Sequence, residues 1–219
     1  MATRTASPPP GTAAQHALEE LRRSIVAGDL RPGQRVGQEE IAERLGVSLA
    51  PVREALAALE QEGQLTYRPR RGYFVTELRL EDLREIYELR TLLEDRAVRR
   101  AAPLLDDDAL ERIELAAREV VEAAAAGDVA AELAANRRFH FALLDAPGQS
   151  HTLRLIRQLW DSTETYRALY YNSPRERTEA VRAHERIVAA LRDGDPDRLV
   201  TELDAHRQRA LDQLGEILT

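Results

Sequence analysis

GQEEIAERLGVSLAPVREALAALEQEGQLTYRPRRGYFV, residues 37–75, holds two short helix patterns, a tight turn between them, and an arginine-rich hairpin behind them. In the first pattern Ile41, Ala42 and Leu45 form an apolar stripe and Gly46 supplies the backbone freedom to end the helix. In the second, Ser48 is a good N-cap, Pro51 is tolerated in the first turn, and Val52, Leu56 and Leu59 face inward. So short a turn crosses the helices steeply and leaves the start of the second one projecting, where it can enter a major groove about 12 Å wide. Arg53 lies there. Gly63 closes this helix, and the alternating residues Leu65, Tyr67, Tyr73 and Val75 bracket Arg68-Pro69-Arg70-Arg71-Gly72. This predicts a two-stranded wing whose tip carries Arg68, Arg70 and Arg71, with Gly72 able to approach a sugar-phosphate backbone.

The run LGVSLAPVREALAALEQEG, with AGDLRPGQ before it and PRRGY after it, resembles the reading head of GntR-type bacterial transcriptional regulators over roughly residues 14–77. The resemblance implies that a helix over 16–27 packs behind the reading pair, and that Arg44, Arg53 and the Gly72 wing meet double-stranded operator DNA. That family usually has Arg and Thr where this chain has Leu49 and Ala50, so Ser48, Leu49 and Ala50 present a less cationic first turn. The consequence is either a different operator or a weaker phosphate grip.

The chain has 219 residues, which allows one or two domains with real cores. Three segments are expected: a disordered tail at 1–11, a winged helix-turn-helix domain at 12–78, and a helical effector-binding and dimerisation domain at 79–219. No apolar run is long enough to span a bilayer, and MATRTASPPPG has no signal-peptide core, so no membrane partner is expected. Cysteine is absent, which removes disulfides and thiolate metal sites and fits a cytoplasmic location. The net charge of −7 argues at first against a nucleic-acid partner. It is unevenly spread: residues 1–79 carry 11 arginines against 10 acids, and residues 80–219 carry 20 against 28. The acidity belongs to the second part, and all cationic side chains other than histidine are arginine.

Beyond Leu80 the periodicity is helical. Helices are expected at about 80–102, 107–126, 128–145, 150–171, 175–193 and 196–217, with turn or cap signals between them. Short connections imply an antiparallel bundle, so the fold is mainly α. Polar residues interrupt the inner stripes. His140 follows Leu133 and Asn136, His184 lies between Val181 and Val188, and His206 follows Leu199 and Leu203. Burying an imidazole without partners costs on the order of 1–3 kcal/mol, so three such positions need a shared reason. A divalent metal supplies one, and Asn136 and His140 lie one helical turn apart. His16 and His151 fall outside the pattern. Two arginines also sit on inner stripes, Arg90 among Leu83, Ile86 and Leu93, and Arg167 among Ile156, Trp160, Thr163 and Tyr170. A buried guanidinium needs an anion, either an internal acid such as Glu94 or a bound carboxylate. Thr163 and Tyr170 could add neutral hydrogen bonds.

This second part resembles the FCD effector domain that follows GntR-type heads, over roughly residues 80–215, through ELRTLLE, NRRFHFALL, AHERIVAALRDGD and the final helix. In metal-binding members an Asp or Asn and three His surround a divalent ion, which maps onto Asn136, His140, His184 and His206. The resemblance thus implies a transition metal, zinc with nickel or manganese as alternatives, and a homodimer. Asn in place of the commoner Asp leaves the ion its full charge and favours an anionic effector, a small organic acid. The expected function is a regulator whose operator affinity answers to that acid. The alternatives are a metal-independent sensor of an acyl or other organic ligand, and a metal-dependent hydrolase fused to a reading head. For the hydrolase no general base is committed to the site, although Glu132 and Glu202 each lie one turn before a ligand position.

Overall fold

A computed structural model describes residues 10–145 and 148–218, so most of the expected tail lies outside the described residues. The chain divides into two compact units with the boundary between Glu77 and Leu78.

The first unit is a winged helix-turn-helix. Helix α1, Pro10–Val26, begins six residues before the expected start at His16 and takes in the end of the segment expected to be a tail. Its stripe of Ala17, Leu21 and Ile25 packs into one core with Ile41 of α2, Gln38–Leu45, and Val52, Leu56 and Leu59 of α3, Leu49–Gln61. Each fully buried Leu, Ile or Val contributes roughly 1.5–3 kcal/mol. Gly46 ends α2 at φ 66°, a left-handed conformation, and its N–H bonds to Ala42 and Glu43. Ser48 stands at the N-cap position with extended backbone, but its hydroxyl makes no capping bond, contrary to expectation. The wing has three strands rather than two. Strand β1, Arg35–Val36, joins β2, Leu65–Arg68, and β3, Gly72–Val75, in the antiparallel order β1-β3-β2. Leu65 pairs with Val75 and Tyr67 with Tyr73, so the alternation read from sequence sets the register.

The second unit is an all-α bundle. Helix α4, Leu80–Ala101, runs through a short 3-10 turn, Ala102–Leu104, to α5, Asp107–Ala126, and α6, Val129–Leu144. Then follow α7, Ser150–Ser162, α8, Glu164–Tyr171, α9, Pro174–Arg192, and α10, Pro196–Leu218. Asp106, Asp128 and Ser173 cap α5, α6 and α9 by accepting from the N–H groups of Ala109, Ala131 and Glu176. The helix expected over 150–171 is two helices, broken at Thr163. The Thr163 hydroxyl donates to the carbonyls of Leu159 and Trp160, a local bond that competes with continued helix. The break re-aims the chain so that Tyr166, Arg167 and Tyr170 are still buried. The inner line of α4 is Leu83, Tyr87, Arg90, Glu94 and Ala97; the expected Ile86 and Leu93 are only partly buried. Phe139, Ile156, Trp160, Ile187 and Leu203 centre the core. No helix among the described residues is long and apolar enough to cross a membrane.

Candidate functional site

The reading surface is built on the head's own core. Val52, Leu56 and Leu59 pin α3 from beneath and leave Ser48, Ala50 and Arg53 exposed, with Leu49 half-buried. Arg53 Nε donates to Gln38 Oε1 at 3.0 Å, so α2 steers the side chain that projects from α3. Arg44 is exposed and donates to the Ser24 hydroxyl at 3.2 Å. At the wing tip Arg68, Arg70 and Arg71 are all exposed, and Arg68 lies 4.5 Å from the Phe74 ring centroid. Gly72 has φ 90°, and a Cβ there would meet only the Arg35 side chain at 3.8 Å. Backbone conformation, rather than crowding within the fold, is what calls for glycine.

In the bundle three helices bring His140, His184 and His206 together. Their ring centroids are 5.3 Å apart for His140 and His184, 5.2 Å for His140 and His206, and 4.9 Å for His184 and His206. One nitrogen from each ring lies within 4.8 Å of the others. All three are buried, and neither nitrogen of His184 nor Nδ1 of His206 has a hydrogen-bond partner. Burial, reinforced by the neighbouring rings, holds His140 and His184 well below the ordinary imidazole value; burial, then Arg90 and Arg207, lowers His206 to about 4. The imidazoles are therefore neutral at neutral pH, the form that binds a metal. Zn–N bonds of about 2.0–2.1 Å would place ligand nitrogens roughly 3.3 Å apart, a modest contraction from the observed spread. Asn136 is buried one turn before His140, and its Oδ1 accepts from the Tyr171 hydroxyl at 3.0 Å. The orphaned nitrogens and the all-neutral donor set fit a divalent transition metal, which would relieve the unpaired groups.

A small cavity of 20 Å³, lined by Asn136, His140, His206, Arg90, Arg167 and Arg207 among others, opens beside this cluster. The arginines behave differently. Arg90 Nε donates to Glu94 Oε1 at 2.8 Å, the same oxygen takes the Trp160 indole N–H at 2.7 Å, and Arg207 reaches Glu94 Oε2 at 3.1 Å. Arg167 has no such partner: it is 5% exposed, lies 4.2 Å from the Trp160 ring centroid, and none of its three guanidinium nitrogens makes a hydrogen bond. Burial pulls its pKa below the usual guanidinium value. Thr163 turns its hydroxyl onto its own helix, and Tyr170 donates to the Glu176 carbonyl at 3.4 Å while its ring lines the cavity.

Sequence reading did not single out Tyr171 or Arg207, and it named Glu94 only as a possible partner. Arg207 directly follows His206, but its partners Glu94 and Asp95 lie over a hundred residues away, so no local pattern could reveal the pairing. Glu132 is fully buried with both carboxylate oxygens unpaired by hydrogen bonds and Arg177 Nε at 4.0 Å. Glu202 is tied to Arg186 at 2.9 Å.

Residues 13–75 match the bacterial regulatory proteins of the gntR family, and residues 85–209 match the FCD domain. The chain is 32% identical over 195 residues to the Nta operon transcriptional regulator of Aminobacter aminovorans, covering 88% of this chain and 90% of that one. It is 28% identical over 200 residues to the HTH-type transcriptional regulator YdhC of Bacillus subtilis, covering 91% and 89%. The solved structure of E. coli McbR/YncC aligns with a TM-score of 0.82 at 26% identity, over 98% of this chain and all of that one. With a winged reading head and a helical domain matched in this order, the chain is not an enzyme but a DNA-binding transcriptional regulator, and it belongs to the GntR family with an FCD domain.

Proposed function

We propose that the bundle holds a divalent transition metal, zinc first and nickel or manganese next, on His140, His184 and His206 with Asn136, and senses a small organic acid beside it. The observation that carries the proposal is Arg167, a buried guanidinium with no hydrogen-bond partner, lining the same cavity as His140, His206 and Asn136. An unpaired buried cation is costly, and a bidentate carboxylate would satisfy it. Arg90 is already neutralised by Glu94, so Arg167 carries the charge recognition, with the Tyr170 ring as a wall. Bound metal would supply Lewis-acid attraction for the same carboxylate.

The cavity as it stands has room for about one water-sized species, so an organic acid must part its walls. Helix α8 carries Arg167 and Tyr170 between the break at Thr163 and the cap at Ser173, and it is the wall with a joint at each end. Acid binding would then select a different packing of α8 against α6 and α10. In a cytoplasmic homodimer with two reading heads, that selection would change how well the heads match two half-sites, with coupling typically of 1–3 kcal/mol. The test is metal analysis of the purified protein, followed by a thermal-shift screen of small organic acids with and without added zinc, nickel or manganese. Substoichiometric metal in both the parent and His184→Ala would remove the metal. Stabilisation by an acid in chelator-treated protein, equal to that in loaded protein, would leave a metal-independent sensor.

A further inference from the structure

The exposed start of α3 carries a chemical preference of its own. Helix positions 50, 53, 54 and 57 share one face, because residues three and four apart lie one above another. On that face Ala50, Arg53 and Glu54 are exposed and Ala57 is half-buried, so Ala50 is the apolar member at the exposed end. Leu49 turns partly into the head's core and Pro51 is half-buried, so Ser48 is the first turn's only side chain able to hydrogen-bond. Flanking cations at Arg44 and the wing supply the grip on the phosphates, and the first turn itself offers a methyl.

A methyl group pressed against a base edge cannot replace the water that it strips from an amine or a carbonyl, and leaving such a group unpaired costs free energy. In the major groove the thymine 5-methyl is the one apolar group a base presents. Ala50 and Arg53 are separated by about 4.5 Å along the helix axis, slightly more than one base step of about 3.4 Å. Arg53 has the fork that pairs with guanine O6 and N7, and Gln38 engages only its Nε at 3.0 Å.

We propose that Ala50 makes this reading head selective for a thymine one or two base steps from the guanine read by Arg53, through the thymine methyl group. The proposal rests on the assignment of α3 as the reading helix. It is tested by letting the full chain select from a randomised duplex pool, then resynthesising the enriched half-site with deoxyuridine in place of each thymidine in turn. Uracil keeps the pairing and removes only the methyl. The enriched half-site should contain thymine within two steps of a guanine, and uracil there should weaken binding about three- to ten-fold. Ala50→Gly should bind the thymine and uracil duplexes alike, and Ala50→Ser, which keeps the helix better, should also lose the distinction. An enriched site without thymine at that spacing, or uracil binding as well as thymine, overturns the proposal and leaves the reading helix assigned. A pool that enriches no sequence at all overturns both.

Discussion

Arg90 and Arg167 face the same indole, at 4.4 Å and 4.2 Å from its centroid, and only Arg90 has a carboxylate. Sequence placed both on inner stripes but could not say which of them Glu94 would neutralise, because that depends on a salt bridge within α4 and another from α10. The asymmetry has a measurable consequence. Replacing even a buried ion pair by apolar residues of similar volume is often neutral or stabilising by roughly 1–4 kcal/mol, and a buried charge without a partner has no pairing to lose. Arg167→Met should therefore raise the urea midpoint of ligand-free protein while abolishing any thermal shift from organic acids. A lower midpoint would mean that Arg167 is paid for structurally. Glu132 gives the second residue-scale expectation. Burial pushes its carboxyl up to about 7, against 4.5 ordinarily, with Arg177 only partly opposing. Between these values the fold keeps a proton that the unfolded chain has lost. Stability is thus fullest below about pH 4.5 and falls as pH rises through 7, by up to about 3 kcal/mol for this group. Glu132→Gln should flatten that fall, so the variant gains most over the parent at pH 8 and least at pH 5 in parallel urea titrations. An equal gain at both would assign the effect to packing.

At the scale of elements, the parts legible in the sequence were those set by local periodicity and turn chemistry. The two reading helices, the β2–β3 register and the three histidine stripes each follow from residues three, four or two apart. What escaped depended on partners distant in sequence. Strand β1 is two residues long and exists only because β3 pairs with it, and the break at Thr163 comes from a hydroxyl turning back on carbonyls in the preceding turn. The α4 stripe slipped by one because Tyr87 and Glu94, polar-ended residues, took core positions that Ile86 and Leu93 were expected to hold. Gly46 is the joint that sequence did identify, at φ 66° with open space around a would-be Cβ. The cost of Gly46→Ala is then conformational alone, about 1–2 kcal/mol. Gly46→Asn should cost less, since Asn tolerates the left-handed region better. Thermal unfolding monitored on the head would show this order; equal costs would point to packing instead of backbone.

For the whole molecule, the uneven charge separates two jobs. The net acidity lies in the bundle, so the salt dependence of operator binding is expected to report the head's arginines. Each arginine that neutralises one phosphate contributes about 0.9 to the slope of log K against log salt on duplex DNA. Arg70 and Arg71 are exposed at the wing tip and Arg53 at the start of α3; on the proposed assignment the first two meet phosphates and the third meets a base. Arg70→Ala should therefore weaken binding to all sequences alike and flatten the slope, whereas Arg53→Ala should cost about 1–3 kcal/mol on the operator and relax choice at one position. The size of the slope change counts heads. One head on DNA loses about 0.9 when Arg70 goes, and a dimer seated on two half-sites loses about 1.8, twice that figure. A titration series between 50 mM and 200 mM salt on the selected operator measures it. A change near 0.9 would leave one head engaged and break the link between bundle packing and paired half-sites, and no change would remove Arg70 from the interface.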